Sequence, residues 1–219
     1  MIGLWTLALC LAQAADPDVS AALEKLKKAD RYAFKVEFVE EGATGRGRGS
    51  TIEGRYVKDQ PTWLKSGELE VFRKGERLAI QKKNEWRLLE LRDGDKVRGR
   101  MRSLRLPHEE LADLTKQLVT LKKLDAKEGD QSVYLGELSE EASRAFLDAN
   151  SEKKLEGPPA GTGRVWLSAA GDLAMVEIIV RVKGKAKNPS GVSMWITLSE
   201  IGSLKAEIPE SAVRALEEK

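Results

Sequence analysis

Cysteine is almost absent from this chain: Cys10 is the only one. It lies within the first apolar stretch, so everything after it has no thiol, no disulfide and no cysteine metal ligand. Histidine is equally scarce. With His108 alone, no histidine pair or histidine-rich metal site can form. Glu109 and Glu110 follow it directly, which places it in the exposed first turn of a helix. No Gly-x-Ser-x-Gly elbow and no His-Glu-x-x-His motif occurs. The segment Gly42–Gly49 is glycine-rich, but no Gly-Lys-Ser/Thr ending follows it, which excludes a phosphate loop. The pairs Glu40-Glu41, Glu109-Glu110 and Glu140-Glu141 fall in loops and at helix starts, where they stay solvated or complement the helix dipole. These absences predict a non-enzyme with no catalytic residue, no metal and no cofactor. An excess of one charge is also lacking: 37 Lys and Arg stand against 35 Asp and Glu. That balance excludes the basic composition of a nucleic-acid-binding domain.

Long apolar runs are nearly missing as well. Ile2 to Leu11 is one, and Ala12-Gln13-Ala14 follows it with a small-x-small pattern. The run is shorter than the ~20 residues of a membrane span and matches the core of a secretory signal. Residues 1–15 are therefore expected to be a signal peptide cleaved near Ala14, with export to a bacterial periplasm. The competing reading is a buried N-terminal helix, because the start lacks Lys and Arg. Leu9 before Cys10 departs from the small residue of a lipidation site, so a soluble mature protein is expected. The second run, Leu173–Val182, is interrupted by Glu177 and Arg181. Removal of the signal leaves about 205 of the 219 residues, enough to bury a substantial core.

What is present is mostly period-two sequence. A short helix opens the mature chain over Val19–Ala29, with Asp18 as its cap and Ala22, Leu23, Leu26 and Ala29 on one face. Tyr32, Phe34, Val36 and Phe38 then alternate with Ala33, Lys35 and Glu37, a half-buried strand. A second strand spans Ser50–Lys58, with Ile52, Gly54 and Tyr56 on one face, and Pro61 stops it. Thr62–Lys65, Leu69–Arg73, Arg77–Lys82 and Glu85–Leu91 continue a meander of about six strands with short turns. Helical spacing returns after Pro107, where Leu111, Leu114, Leu118 and Leu121 fall on one stripe. Gln131–Leu138 reads as a strand, and Ser139 caps a helix whose face holds Ala142, Ala145 and Phe146. Glu152–Gly163 reads as a loop. Arg164–Leu167, Leu173–Lys183 and Val192–Leu198 are the last strands, and Glu210–Glu217 is a final helix. No repeat or long linker divides this, so residues 16–219 are expected to form one domain.

This order resembles the LolA/LolB-like lipoprotein-carrier superfamily of bacterial envelopes. The segments that carry the resemblance are Gly54-Arg55-Tyr56-Val57-Lys58-Asp59-Gln60-Pro61 and Val71-Phe72-Arg73-Lys74-Gly75-Glu76-Arg77-Leu78, with Trp86 as the aromatic of the next strand. The Ser168-Ala169-Ala170-Gly171-Asp172-Leu173 turn and the close on Ile208-Pro209 are similar too. The resemblance implies an α+β fold: one strongly curved antiparallel sheet, a half-open β-barrel, with helices over its open side. It also implies a non-enzymatic carrier or receptor that holds a lipid or lipoprotein acyl chain in an apolar hollow. Gln60 departs from the family's better-known branch, which has an Arg there that ties lid to barrel.

The expected hollow takes Tyr32, Phe34, Val36 and Phe38 from the first strand, and Ile52, Tyr56, Leu78, Ile80 and Trp86 from its neighbours. Leu111, Leu114, Leu118 and Leu121 should close over them as a lid. Whether the interior is open or filled stays undecided at this level. A filled interior points instead to an envelope protein-interaction or stress-sensing module. One further feature is a basic run: six cations fall between Arg92 and Arg105. It reads as a charged strand edge that discourages edge pairing. The alternative is contact of Arg98, Arg100 and Arg102 with anionic headgroups. The expected partners are a lipid or acylated protein and a membrane-bound envelope protein, with the chain a monomer and no nucleic acid involved.

Overall fold

The computed structural model describes residues 16–41, 47–83, 85–89, 96–151, 155–182 and 190–217. The expected signal peptide and Cys10 lie outside the described residues, as do Arg92 and residues 42–46 and 183–189.

Two runs of consecutive hairpins meet in the middle of one open sheet. The first run holds β1 (Arg31–Glu41), β2 (Gly47–Val57), β3 (Thr62–Ser66), β4 (Leu69–Lys74), β5 (Arg77–Lys82) and β6 (Glu85–Leu88). The second holds β7 (Leu118–Glu128), β8 (Gln131–Leu138), β9 (Pro159–Leu167), β10 (Leu173–Val182) and β11 (Ser190–Ser199). The sheet order is β6-β5-β4-β3-β2-β1-β11-β10-β9-β8-β7, antiparallel throughout. The seam is the β1–β11 pair, which joins the first and last strands of the chain. The helices are α1 (Pro17–Lys28), α2 (Lys96–Ser103), α3 (Pro107–Gln117), α4 (Glu140–Asn150) and α5 (Glu210–Glu217).

The sheet is curled. In a flat sheet, β4 and β7 would lie eight strand spacings apart, about 38 Å. Yet Arg73 on β4 bonds to the Leu104 carbonyl, and the chain from there reaches Leu118 of β7 through two link residues and α3. An eleven-residue helix is only about 16 Å long. The concave face therefore wraps one apolar cluster, in which Tyr32, Phe34, Ile52, Leu64, Val71 and Leu78 meet Met101 of α2, Leu111 of α3 and Phe146 of α4. Phe34 is seated by Gly54, its register partner on β2: a Cβ there would lie 2.0 Å from the Phe34 ring. That is the close approach the Gly54 position serves.

Several expected elements move. Asp16, not Asp18, caps α1, accepting from the Asp18 amide at 2.9 Å, and Pro17 opens the helix. Leu118 and Leu121 are not on the lid helix. The chain leaves the helix at Leu118, which pairs with Leu138 of β8 and begins the edge strand β7. Strand β9 begins at Pro159, inside the expected loop. On α4, Ser139 caps as expected, at 3.1 Å from the Ala142 amide, but Ala145 is exposed and Leu147 takes its place inside. The middle of the basic run, Lys96–Ser103, forms α2 rather than a strand edge, and Arg105 follows in the link to α3. Finally, α5 packs on the convex face, where Ala212, Ala215 and Leu216 cover Phe72 and Ala79. Trp86 belongs to that outer cluster and does not face the concave side. Its ring meets Phe72 at 5.0 Å.

Candidate functional site

The concave face is filled at one end and open at the other. Val36 and Phe38 on β1 are register partners of Ile196 and Met194 on β11. Directly opposed residues of an antiparallel pair share a face, so these four side chains form one apolar floor. Above it lies a cleft of about 210 Å³. Its walls are Arg100 and Ser103 of α2, Leu104 and Arg105 of the link to α3, Glu110 of α3, and Ala149 and Asn150 at the end of α4. The floor is apolar and the rim polar, the usual make-up of a small-molecule site.

Charge at the rim is arranged in two ways. Arg105 is committed: it bonds Asp113 at 2.6 Å and Glu110 at 3.2 Å. Burial raises the Glu110 carboxyl above the usual carboxylate range, and the Arg105 cation opposes that shift. Arg100 is different. Its guanidinium donates to Ser50 Oγ at 2.6 Å and stacks over Phe38 at 5.4 Å from the ring centre. Among the described residues it has no carboxylate partner. Of the other expected headgroup contacts, Arg102 pairs with Glu76 away from the cleft, and the Arg98 side chain lies outside the described residues.

The lid is held by two contacts that its leucine stripe did not announce. Arg73 is 8% exposed on β4 and donates to the carbonyls of Met101, Arg102 and Leu104. It thereby satisfies the carbonyl end of α2 and places a cation at the negative end of that helix dipole. Burial lowers its affinity for the proton, but a guanidinium stays charged. The signal for Arg73 was its alternation with Val71, which puts a cation on the inward face. Gln60, where the resembled carriers have Arg, borders the same region without making this tie. The second contact is Tyr32 Oη with His108 Nδ1, at 2.6 Å, joining β1 to the start of α3. Tyr56 closes on the same imidazole, 5.0 Å between rings. His108 is thus half-buried and structural, not an exposed first-turn residue.

The remaining expected residues divide cleanly. Tyr32, Phe34, Ile52 and Leu78 are buried in the filled end, with Tyr56 and Ile80 packed at its margin. Leu111 and Leu114 of α3 cover them, and Leu118 and Leu121 reach the same cluster from β7. Of the residues expected for the hollow and its lid, only Val36 and Phe38 line this cleft, with Arg100 of the expected headgroup contacts beside them and Met194, Ile196 and Leu104, to which the sequence reading assigned no role. Among the described residues, no group of three or more His, Cys, Asp or Glu could hold a metal ion. No helix there is long and apolar enough to cross a membrane.

The architecture is that of a curled open sheet with a roofed apolar cleft. No family model and no curated protein matches the chain. Among solved structures it is similar to LprF from Mycobacterium bovis, at 14% identity and a TM-score of 0.49, over 90% of this chain and 98% of that one. It is also similar to a LolA superfamily protein from Nitrosomonas europaea, at 12% identity and a TM-score of 0.33, over 87% and 94% of the two chains. A third is an outer membrane lipoprotein-sorting protein domain from Vibrio parahaemolyticus, at 11% identity and a TM-score of 0.27, over 94% and 100%. All three are remote likenesses.

Proposed function

We propose that this protein is a non-enzymatic carrier or receptor, exported to the periplasm, that takes the apolar tail of a lipid or acylated protein into the cleft over β1 and β11. The observation that carries the reading is the cleft itself: four apolar floor residues in register, roofed by movable-sized elements and rimmed by polar groups. Each methylene transferred from water to such a floor contributes about 0.8 kcal/mol, so no covalent chemistry is needed to extract a tail. Arg73, bonded to the end of α2 and to Leu104 of the link, and His108, bonded to Tyr32, hold the roof to the sheet at two points. Native mass spectrometry of the full chain purified from its host tests this. A bound lipid mass is expected; protein that stays lipid-free, and takes up none when offered vesicles, would overturn the reading. N-terminal sequencing of the same material is expected to begin near Asp16, and an intact Met1 would remove export from the proposal.

The filled end of the concave face supports the second reading, an interaction or stress-sensing module. Tyr32, Leu64 and Val71 are wholly buried there and leave no room for a tail. That reading gains if the lipid-free protein captures an envelope protein and no lipid.

A further inference from the structure

The chemistry of the rim says more than that a tail is bound. Resting on the carrier reading, we infer that the cleft selects a single-chain amphiphile with an anionic head, a carboxylate or phosphate monoester, and that Arg100 binds that head.

Three observations converge. First, the cleft is small. At about 210 Å³ it lies below the roughly 300–1,000 Å³ of pockets that enclose drug-sized ligands, so one chain fits it better than several. Second, among the described residues the rim's charges do not cancel. Arg105 is paired with Glu110 and Asp113, so its charge is already opposed within the protein. Arg100 then stands as a cation with no carboxylate partner among the described residues. Third, Arg100 is oriented before any ligand arrives. Its bond to Ser50 uses one N–H, and the Phe38 ring supports the guanidinium plane. A guanidinium has five N–H donors in a fixed fork that matches carboxylate and phosphate oxygens in pairs. Phe38 is also part of the apolar floor. The site where a tail would end and the site where its head would sit therefore share one residue.

A cationic head would meet Arg100 with like charge, and a neutral hydroxyl would forgo the charge-assisted pair. The order of preference is therefore anionic, neutral, cationic.

Four ligands of one chain length separate these terms: dodecanoate, dodecyl phosphate, dodecanol and dodecyltrimethylammonium, each titrated into delipidated full-length protein by calorimetry. Inorganic phosphate and acetate serve as tail-free controls. Both anionic amphiphiles are expected to bind at least about ten-fold more tightly than dodecanol, with the tail-free anions bound negligibly. R100Q is expected to bind dodecanoate no more tightly than it binds dodecanol. R100K should retain charge preference with weaker affinity, since an ammonium lacks the fork. R100E is expected to invert the order in favour of dodecyltrimethylammonium. Such an inversion cannot come from misfolding. Equal binding of all four amphiphiles, or an R100E variant that still prefers dodecanoate, overturns the anion selectivity and leaves the carrier reading standing. Binding of none overturns both. Binding of free phosphate as tight as dodecyl phosphate shows an anion site without a tail site, which also overturns the inference.

Discussion

Strand β1 crosses two regions that differ in what stands above them. At its start, Tyr32 and Phe34 are 0% and 4% exposed, pressed under α3 and against β2. Further along, Val36, Ile196 and Met194, themselves only 2%, 2% and 3% exposed, and half-buried Phe38 form the floor of a cleft. The alternation is the same in both halves, and so is the apolar character. The difference is the roof. Over the first half, Leu111 and Leu114 descend into the sheet; over the second, the α2–α3 link and the end of α4 stand off from it and turn charged groups inward. An inward-facing strand position thus defines a place for an apolar group, and the neighbouring helices decide whether protein or ligand fills it.

The largest expected effect tests that contrast directly. Phe34→Ala should cost about 3–5 kcal/mol of stability, as for other buried aromatic truncations. Phe38→Ala, in the open half, should cost clearly less and instead weaken ligand binding. Urea unfolding of both variants checks this, and equal losses would erase the distinction between the halves. Next in size is Arg73→Met. It keeps bulk but strips three carbonyls of their donor, for an expected loss of about 2 kcal/mol. Hydrogen exchange should speed up along α2 and its link while the β1–β11 seam stays protected; uniform acceleration would mean Arg73 holds the sheet and not the roof.

The pH dependence is smaller. Burial lowers the proton affinity of His108 below its ordinary value of 6.5, with Glu109 partly opposing. The unfolded chain therefore takes up the proton first as pH falls. The stabilisation is present above about pH 6.5 and is lost as pH drops through the unfolded value toward the lower folded one. Tyr32 does not titrate in this window, since burial pushes its hydroxyl well above the usual phenol range. Melting curves between neutral and mildly acidic pH should show this slope, and His108→Gln should flatten it. A slope unchanged in that variant assigns the effect to other groups. The smallest expected change is at Ser143, whose hydroxyl is buried without a hydrogen-bond partner among the described residues. Ser143→Ala should leave stability unchanged or raise it by up to about 1 kcal/mol, and a loss beyond that would point to a bond made by the hydroxyl.

Much of this was legible beforehand. The spans Gln131–Leu138, Arg77–Lys82 and Glu210–Glu217 appear where their patterns place them, because strict alternation or a clean amphipathic stripe leaves one solution. Helix α2 was hidden by its charge. Val97, Met101 and Leu104 have helical spacing, but six cations around them read as a solvated edge. Leu118 and Leu121 continued a helical stripe perfectly, yet the helix stops because Leu118 finds a partner in Leu138, a residue twenty positions away along the chain. Trp86 showed the same limit. Its strand has only four residues, too few for alternation to assign a face, and the outer helix α5 claimed it.

The sequence by itself determined most of the strands, though not β7 or the start of β9, the antiparallel class and most of the residues that must avoid water. Those properties follow from local periodicity, turn residues and composition, which act over a few neighbouring positions. Only the tertiary structure decided that β1 seals against β11, that Arg73 rather than a residue at position 60 ties down the roof, and that a cleft opens over Val36 and Phe38. These depend on how far a helix can reach across a curled sheet and on which distant partner satisfies a buried polar group. A periodic pattern carries no information about either distance.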